Sequence, residues 1–210
     1  MARVVVTRPV GREQPLVDRL ARAGHDVVHV PLVEIEPVGA GPVDVEGYDW
    51  VVLTSATGAR ELRRRMRGTP ARVAAIGPAT AAAFGDVDLV AEVSTQEGLL
   101  AALPSSPGRV LFAGAEGARS LLPEALGADV VVLYRTLELA PPDWPECDLV
   151  LVASPSAARA LARVSPGARV VSIGPETTRA AAAAGLVVSA EAEMPDADGL
   201  VGAVERAAAS

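Results

Sequence analysis

The sequence predicts an α/β protein built from two similar doubly wound, flavodoxin-like parallel-sheet lobes, and three observations carry that expectation. Short β-branched runs alternate with Ala-, Leu- and Arg-rich stretches of helical spacing, and such alternation yields parallel sheets with right-handed crossovers. Half of the 210 residues are apolar but only 3% are aromatic. A core of Val, Leu, Ile and Ala suits strands covered by helices on both faces. The chain also repeats itself. Asp49–Arg60 returns as Asp148–Arg159, Ala75–Thr80 as Ser172–Thr177, and Glu97-Gly98-Leu99 as Asp198-Gly199-Leu200. Arg3 to Arg12 aligns more faintly with Arg109 to Ala118, and Glu34–Pro37 with Glu138–Pro141. A duplicated half-chain of about 105 residues accounts for this pattern.

Buried strands are expected at Arg3–Thr7, Val27–Val30, Trp50–Thr54, Val73–Ile76, Val110–Phe112, Val130–Leu133, Leu149–Ala153 and Val170–Ile173. Helices are expected from Pro15 to Ala23 and from Thr178 to Ala184. Each is followed by glycine, the residue favoured just past a helix C-terminus. Pro31 to Pro42 and Tyr134 to Pro145 hold equivalent places in the repeats and read as paired extended segments. If both cross between lobes, one lobe is 40–133 and the other combines 1–33 with 139–210, with 34–39 and 134–138 as linker strands. The competing arrangement has each repeat folding on itself, near 1–105 and 106–210. The pattern leaves both open.

The net charge of −7 speaks against a nucleic-acid partner, which would need a basic stripe. No apolar run approaches the roughly 20 residues of a membrane span. The single cysteine, Cys147, allows no internal disulfide. The chain opens straight into a strand, without a secretory leader pattern. A cytoplasmic protein with no membrane partner is the expectation.

Chemistry is expected in the loops that follow the strands. Thr7-Arg8-Pro9, Thr54 to Gly58, Gly77 to Thr80, Gly114 to Gly117, Ser154-Pro155-Ser156 and Gly174 to Thr177 each join a strand end to a helix start. Ligands of open α/β sheets bind at such ends, where backbone N–H groups and the helix dipole favour anions. Arg8, Thr54, Ser55, Gly77, Gly114, Ala115, Ser156 and Gly174 are accordingly candidate anion-binding residues. Plain N-capping is the competing use of each hydroxyl. His25, His29 and Cys147 lack metal-site spacing, and there is no dinucleotide fingerprint, P-loop or nucleophile elbow. No metal and no cofactor are expected. Arg60, Arg63, Arg64, Arg65 and Arg67 read as a solvated helix face, while Arg8, Arg12, Arg119 and Arg159 sit at or just past strand ends.

Taken in order, Val6-Thr7-Arg8-Pro9, Leu53-Thr54-Ser55, Ile76-Gly77-Pro78-Ala79-Thr80, Tyr134-Arg135-Thr136, Ala153-Ser154-Pro155-Ser156 and Ile173-Gly174-Pro175-Glu176-Thr177 resemble the uroporphyrinogen-III synthase family over nearly the whole chain. The resemblance implies two α/β lobes, a two-stranded linker and an active site in a cleft. It implies cyclisation of hydroxymethylbilane to uroporphyrinogen III, with loss of water and inversion of the last pyrrole ring. It also implies that Tyr134 is catalytic and that Thr80, Ser154 and Thr177 bind substrate. The partner so implied is a linear tetrapyrrole with eight carboxylates, handled by a cytoplasmic monomer in transient contact with the preceding pathway enzyme. A cytoplasmic, two-lobed, non-catalytic small-acid binding or sensor protein is the alternative.

Overall fold

The computed structural model describes residues 1–165 and 167–209. The chain divides into two compact units, Met1–Ile35 with Thr136–Ser210 and Glu36–Arg135. The elements begin with β1 (Arg3–Val6), α1 (Gln14–Arg22), β2 (Asp26–His29), β3 (Val33–Pro37), β4 (Val43–Asp44), β5 (Trp50–Leu53) and α2 (Ala56–Arg65). They continue with β6 (Met66–Arg67), β7 (Val73–Ala75), α3 (Pro78–Phe84), β8 (Leu89–Val90), α4 (Gln96–Ala102), β9 (Val110–Ala115) and α5 (Leu121–Leu126). The remainder are β10 (Asp129–Glu138), β11 (Leu149–Val152), α6 (Pro155–Val164), β12 (Arg169–Ser172), α7 (Pro175–Ala183), β13 (Val187–Glu191) and α8 (Ala197–Ala208).

In the first unit the strand order is β13-β12-β11-β1-β2, all parallel, the flavodoxin-like order. Successive strand residues point to opposite faces, and the core divides accordingly. Val4 and Val6 pack with Leu16 and Leu20 of α1 and with Leu200 and Val204 of α8. Val5, Val150 and Val170 pack with Ala158 and Leu161 of α6 and Ala181 of α7. Burying each such Val or Leu contributes about 1.5–3 kcal/mol, so the sheet is held from both sides.

In the second unit the order is β3-β10-β9-β5-β7-β8, with β10-β9-β5-β7-β8 parallel throughout. Trp50, Val52, Val110 and Phe112 pack on Leu99 and Leu103 at α4 and Leu122 of α5. The repeat is visible in the register: Val4 lies opposite Leu149 as Val110 lies opposite Trp50. The Arg3 N–H donates to Asp148 Oδ2 at 2.7 Å, and the Arg109 N–H to Asp49 Oδ2 at 2.7 Å. Chain crossings between the units fall in β3 and β10, which are neighbours in the sheet.

Several local expectations are corrected. β9 extends to Ala115, so Gly114 and Ala115 are not loop residues but strand residues paired with Val132 and Tyr134. Tyr134 itself belongs to a ten-residue strand. The arginine run is not one solvated face. The Arg65 side chain is only 8% exposed; its Nε donates to the Gly41 carbonyl and its Nη1 to the Val38 carbonyl, both at 2.8 Å. Arg63 donates to the Phe84 carbonyl at 2.6 Å. These carbonyls lie beyond the helix, so the sequence periodicity of α2 gave no sign of them. Among the described residues no helix is long and apolar enough to cross a membrane.

The third repeated motif has a packing cause. Thr95 caps α4 by accepting the Gly98 N–H at 3.0 Å, and Asp196 caps α8 by accepting the Gly199 N–H at 2.8 Å. A Cβ at Gly98 would lie 2.2 Å from the Val93 carbonyl oxygen, and one at Gly199 would lie 2.1 Å from that of Met194. Backbone cannot give way cheaply, so Gly199→Ala should lower stability by about 2 kcal/mol or more. Gly202 of the same helix has only Arg206 Nη1 within reach, at 3.7 Å, so Gly202→Ala should raise stability by roughly 0.5–1 kcal/mol. Urea denaturation of the two variants checks this; shifts of the same sign would refute the contact as the cause.

Candidate functional site

In each unit the parallel strands bring their C-terminal loops to one edge of the sheet. The point where the winding reverses lies between β5 and β9 in the second unit and between β1 and β11 in the first. Ligands of doubly wound sheets favour such points.

At the second unit's reversal, Ser55 is the N-cap of α2, and its Oγ accepts the Gly58 N–H at 3.0 Å. Tyr134 reaches the same place from β10. The register of β10 against β9 slips between Val132 and Tyr134, and such a bulge re-aims side chains. Leu133 and Tyr134 are both buried beside the slip. Tyr134 is 8% exposed, and its Oη lies 2.9 Å from Ser55 Oγ. Gly58 makes room: a Cβ there would sit 3.2 Å from Ser55 Oγ and 3.7 Å from Tyr134 Cε1. Thr54 is partly buried beside Ser55. Gly77 caps α3, and Thr80 is buried in its first turn. A side chain at 77 would meet Ser94 Oγ at 2.4 Å.

The first unit repeats the plan with other details. Ser154 caps α6 by accepting the Ala157 N–H at 3.1 Å. The Arg8 carbonyl accepts from His29 Nε2 at 2.8 Å, which ties the loop after β1 to β2. Gly174 caps α7, and Thr177 is buried in the first turn as Thr80 is in the second unit. Ser156 Oγ accepts from Arg159 Nη2 at 3.1 Å. Thr178 bonds Ser172 Oγ at 2.6 Å and also the Glu191 carboxylate; Ala75, Ala81 and Val90 fill the equivalent places of the second unit.

The arginines at strand ends are engaged. Arg119 pairs with Glu97 at 2.6 Å. Arg159 and Arg163 of α6 converge on Glu138 of β10 at 2.9 and 2.7 Å. Burial would raise the Glu138 carboxyl, but the Arg163 and Arg159 guanidiniums outweigh it and hold it below the ordinary range. Gly58 was expected only as part of its loop and Glu138 only as part of a linker strand, neither as a site residue. The run Val130–Tyr134 is apolar throughout, so no break in alternation marked the bulge. Among the described residues no three His, Cys, Asp or Glu side chains gather as a metal-ligand set.

Two doubly wound units whose capped helices offer hydroxyls and N–H groups at the carboxyl edge define a class of α/β protein suited to polyanionic ligands. A family model described as uroporphyrinogen-III synthase HemD matches residues 14–202. A uroporphyrinogen-III synthase of Synechococcus elongatus is 27% identical over 249 aligned positions, covering 97% of this chain and 94% of that protein. Among solved structures, uroporphyrinogen-III synthetase of Helicobacter pylori superposes with a TM-score of 0.66 at 17% identity, covering 98% and 99% of the two chains. A mutant uroporphyrinogen III synthase from Thermus thermophilus gives 0.63 at 17% identity, covering 100% and 99%. The chain belongs to the uroporphyrinogen-III synthase family, whose enzymes cyclise hydroxymethylbilane in tetrapyrrole biosynthesis. A non-catalytic sensor is not favoured.

The Glu138 pairing carries a pH dependence. A carboxyl whose folded pKa is depressed stabilises the protein above its unfolded value, near 4.3, and loses that contribution as pH falls through the folded value. Glu138→Gln should cost about 1 kcal/mol at pH 7. The cost should shrink as pH drops below about 4. Urea midpoints across that window test it, and a pH-independent difference would assign the loss to packing.

Proposed function

We propose that this chain cyclises hydroxymethylbilane to uroporphyrinogen III with Tyr134 as the proton donor to the departing hydroxyl. The observation that carries the reading is the buried Tyr134 phenol, 2.9 Å from Ser55 Oγ at the reversal point of its sheet. The substrate's C–O bond breaks, the oxygen takes the phenol proton, and water leaves behind an azafulvenium cation. That cation is attacked by the substituted carbon of the last ring. The spiro product rearranges and loses a carbon-bound proton, which restores the phenol. Protons therefore balance without another reagent.

The substrate's eight carboxylates suit many weak donors rather than a few strong ones. Arg8, Thr54, Ser55, Gly77, Thr80, Ser154, Ser156, Gly174 and Thr177 are the candidates. Gly114 and Ala115 stay in the set only as flanking backbone, because both sit in β9. Unassisted, the bilane closes to the symmetrical isomer I, so the chain's task is to hold the geometry that leads to the inverted ring, an orientation effect. A cytoplasmic monomer receiving its substrate in transient contact with the preceding enzyme fits such a short-lived bilane, and the lone Cys147 is free.

Purified protein given fresh hydroxymethylbilane should yield mainly isomer III after oxidation and isomer analysis. Product no richer in isomer III than the protein-free control would overturn the reading. Tyr134→Phe should slow turnover by roughly 10- to 100-fold, since water can assist this leaving group, while isomer III remains the product. Full steady-state rate in that variant would leave Tyr134 as a packing residue.

A further inference from the structure

We propose that Ser55 is the positioning residue of Tyr134: its hydroxyl donates to Tyr134 Oη, leaving the phenol's own proton for the departing oxygen of the substrate. The inference rests on the reading of Tyr134 as the proton donor. It gives Ser55 a task other than the carboxylate contact that its loop alone suggests.

A serine hydroxyl has one proton and two lone pairs. One lone pair of Ser55 is committed to the Gly58 N–H at 3.0 Å. A hydroxyl that accepts from a helix-terminal N–H becomes a better donor and a poorer acceptor, because each bond in a chain polarises the next. The positive end of the α2 dipole acts in the same sense. Of the two directions open to the 2.9 Å contact, donation by Ser55 is therefore favoured. The chain of bonds runs from Gly58 N–H to Ser55 Oγ, from Ser55 O–H to Tyr134 Oη, and from Tyr134 O–H outward. Negative charge that develops on Oη as its proton moves is met by a donor already aligned. The alignment is fixed by three local features: the slipped register beside Leu133, the missing side chain at Gly58, and the extended backbone of the Ser55 cap. Ser154 makes the same cap in the other unit at 3.1 Å, but the chain's other tyrosine, Tyr48, bonds Asp129 instead.

Steady-state turnover of the full chain with hydroxymethylbilane tests this in Ser55→Ala, Ser55→Thr, Ser55→Asp, Tyr134→Phe and the Ser55→Ala/Tyr134→Phe double variant. Ser55→Ala should lower kcat about five- to tenfold, with KM within about twofold. Ser55→Thr, which keeps cap and donor, should recover to within about threefold of the parent. Ser55→Asp keeps the cap but offers only an acceptor, so it should fold normally and stay as slow as Ser55→Ala; it also carries the test if Ser55→Ala folds poorly. In the Tyr134→Phe background, Ser55→Ala should cost less than about twofold. A raised KM with intact kcat, a fast Ser55→Asp, or equal costs in both backgrounds would overturn the inference while leaving Tyr134 in place. Full rate in Tyr134→Phe is a different result, and it would end the proton-donor reading and this inference with it.

Discussion

Each of the two large sheets is held at its centre by a pairing between strands from opposite halves of the chain. β11 lies against β1 in one unit, and β5 lies against β9 in the other. Both pairs are clamped by an aspartate that accepts the N–H of an arginine, Arg3 at the start of β1 and Arg109 just before β9. In the first unit the bonded residues are 145 positions apart. Neither repeat can complete a sheet by itself, because each central strand takes one of its two neighbours from the other repeat. Everything at the carboxyl edges depends on these two pairings, since they bring the loops after β1 and β11, and after β5 and β9, side by side.

The duplicated edges have since diverged. Cap geometry is conserved between the units, with Ser55 matching Ser154 and Thr80 matching Thr177. The chemistry around the caps is not. One unit places a phenol on the cap serine, while the other carries a hydroxyl pair closed by Glu191. On the proposed reading, the shared scaffold offers generic anion donors at both edges, and the phenol is the reaction-specific group added at one of them. That division suits a reaction limited by orientation, in which most contacts hold substrate and few touch the breaking bond.

Much of the fold was legible because it rests on local chemistry. Val-rich runs mark buried parallel strands, Gly24 and Gly185 mark helix ends, and the matched segments mark equivalent loops. The rest depended on distant partners. β8 and β13 are edge strands whose pairing comes from β7 and β12, so their own composition signals little. The expected loop at Gly114 is strand because β10 extends far enough to pair with it. Arg65 looked solvated until carbonyls 24 and 27 residues away were seen to receive it. Tyr134 was singled out by family resemblance, but its contact with Ser55 needs a register slip that no propensity encodes.

The order in which the strands arrive has a consequence for the newborn chain. A ribosome delivers β1, α1 and β2 first, yet the strand that covers the free edge of β1 begins only at Leu149. At translation rates of roughly 5–20 residues per second, the apolar faces of Val4, Val5 and Val6 wait for several seconds or longer. The unit spanning Glu36–Arg135 has all of its parallel strands by then. Synthesis therefore leaves an early βαβ fragment tethered to a neighbour whose strands are already all made, and that fragment is a surface a nascent-chain chaperone would meet.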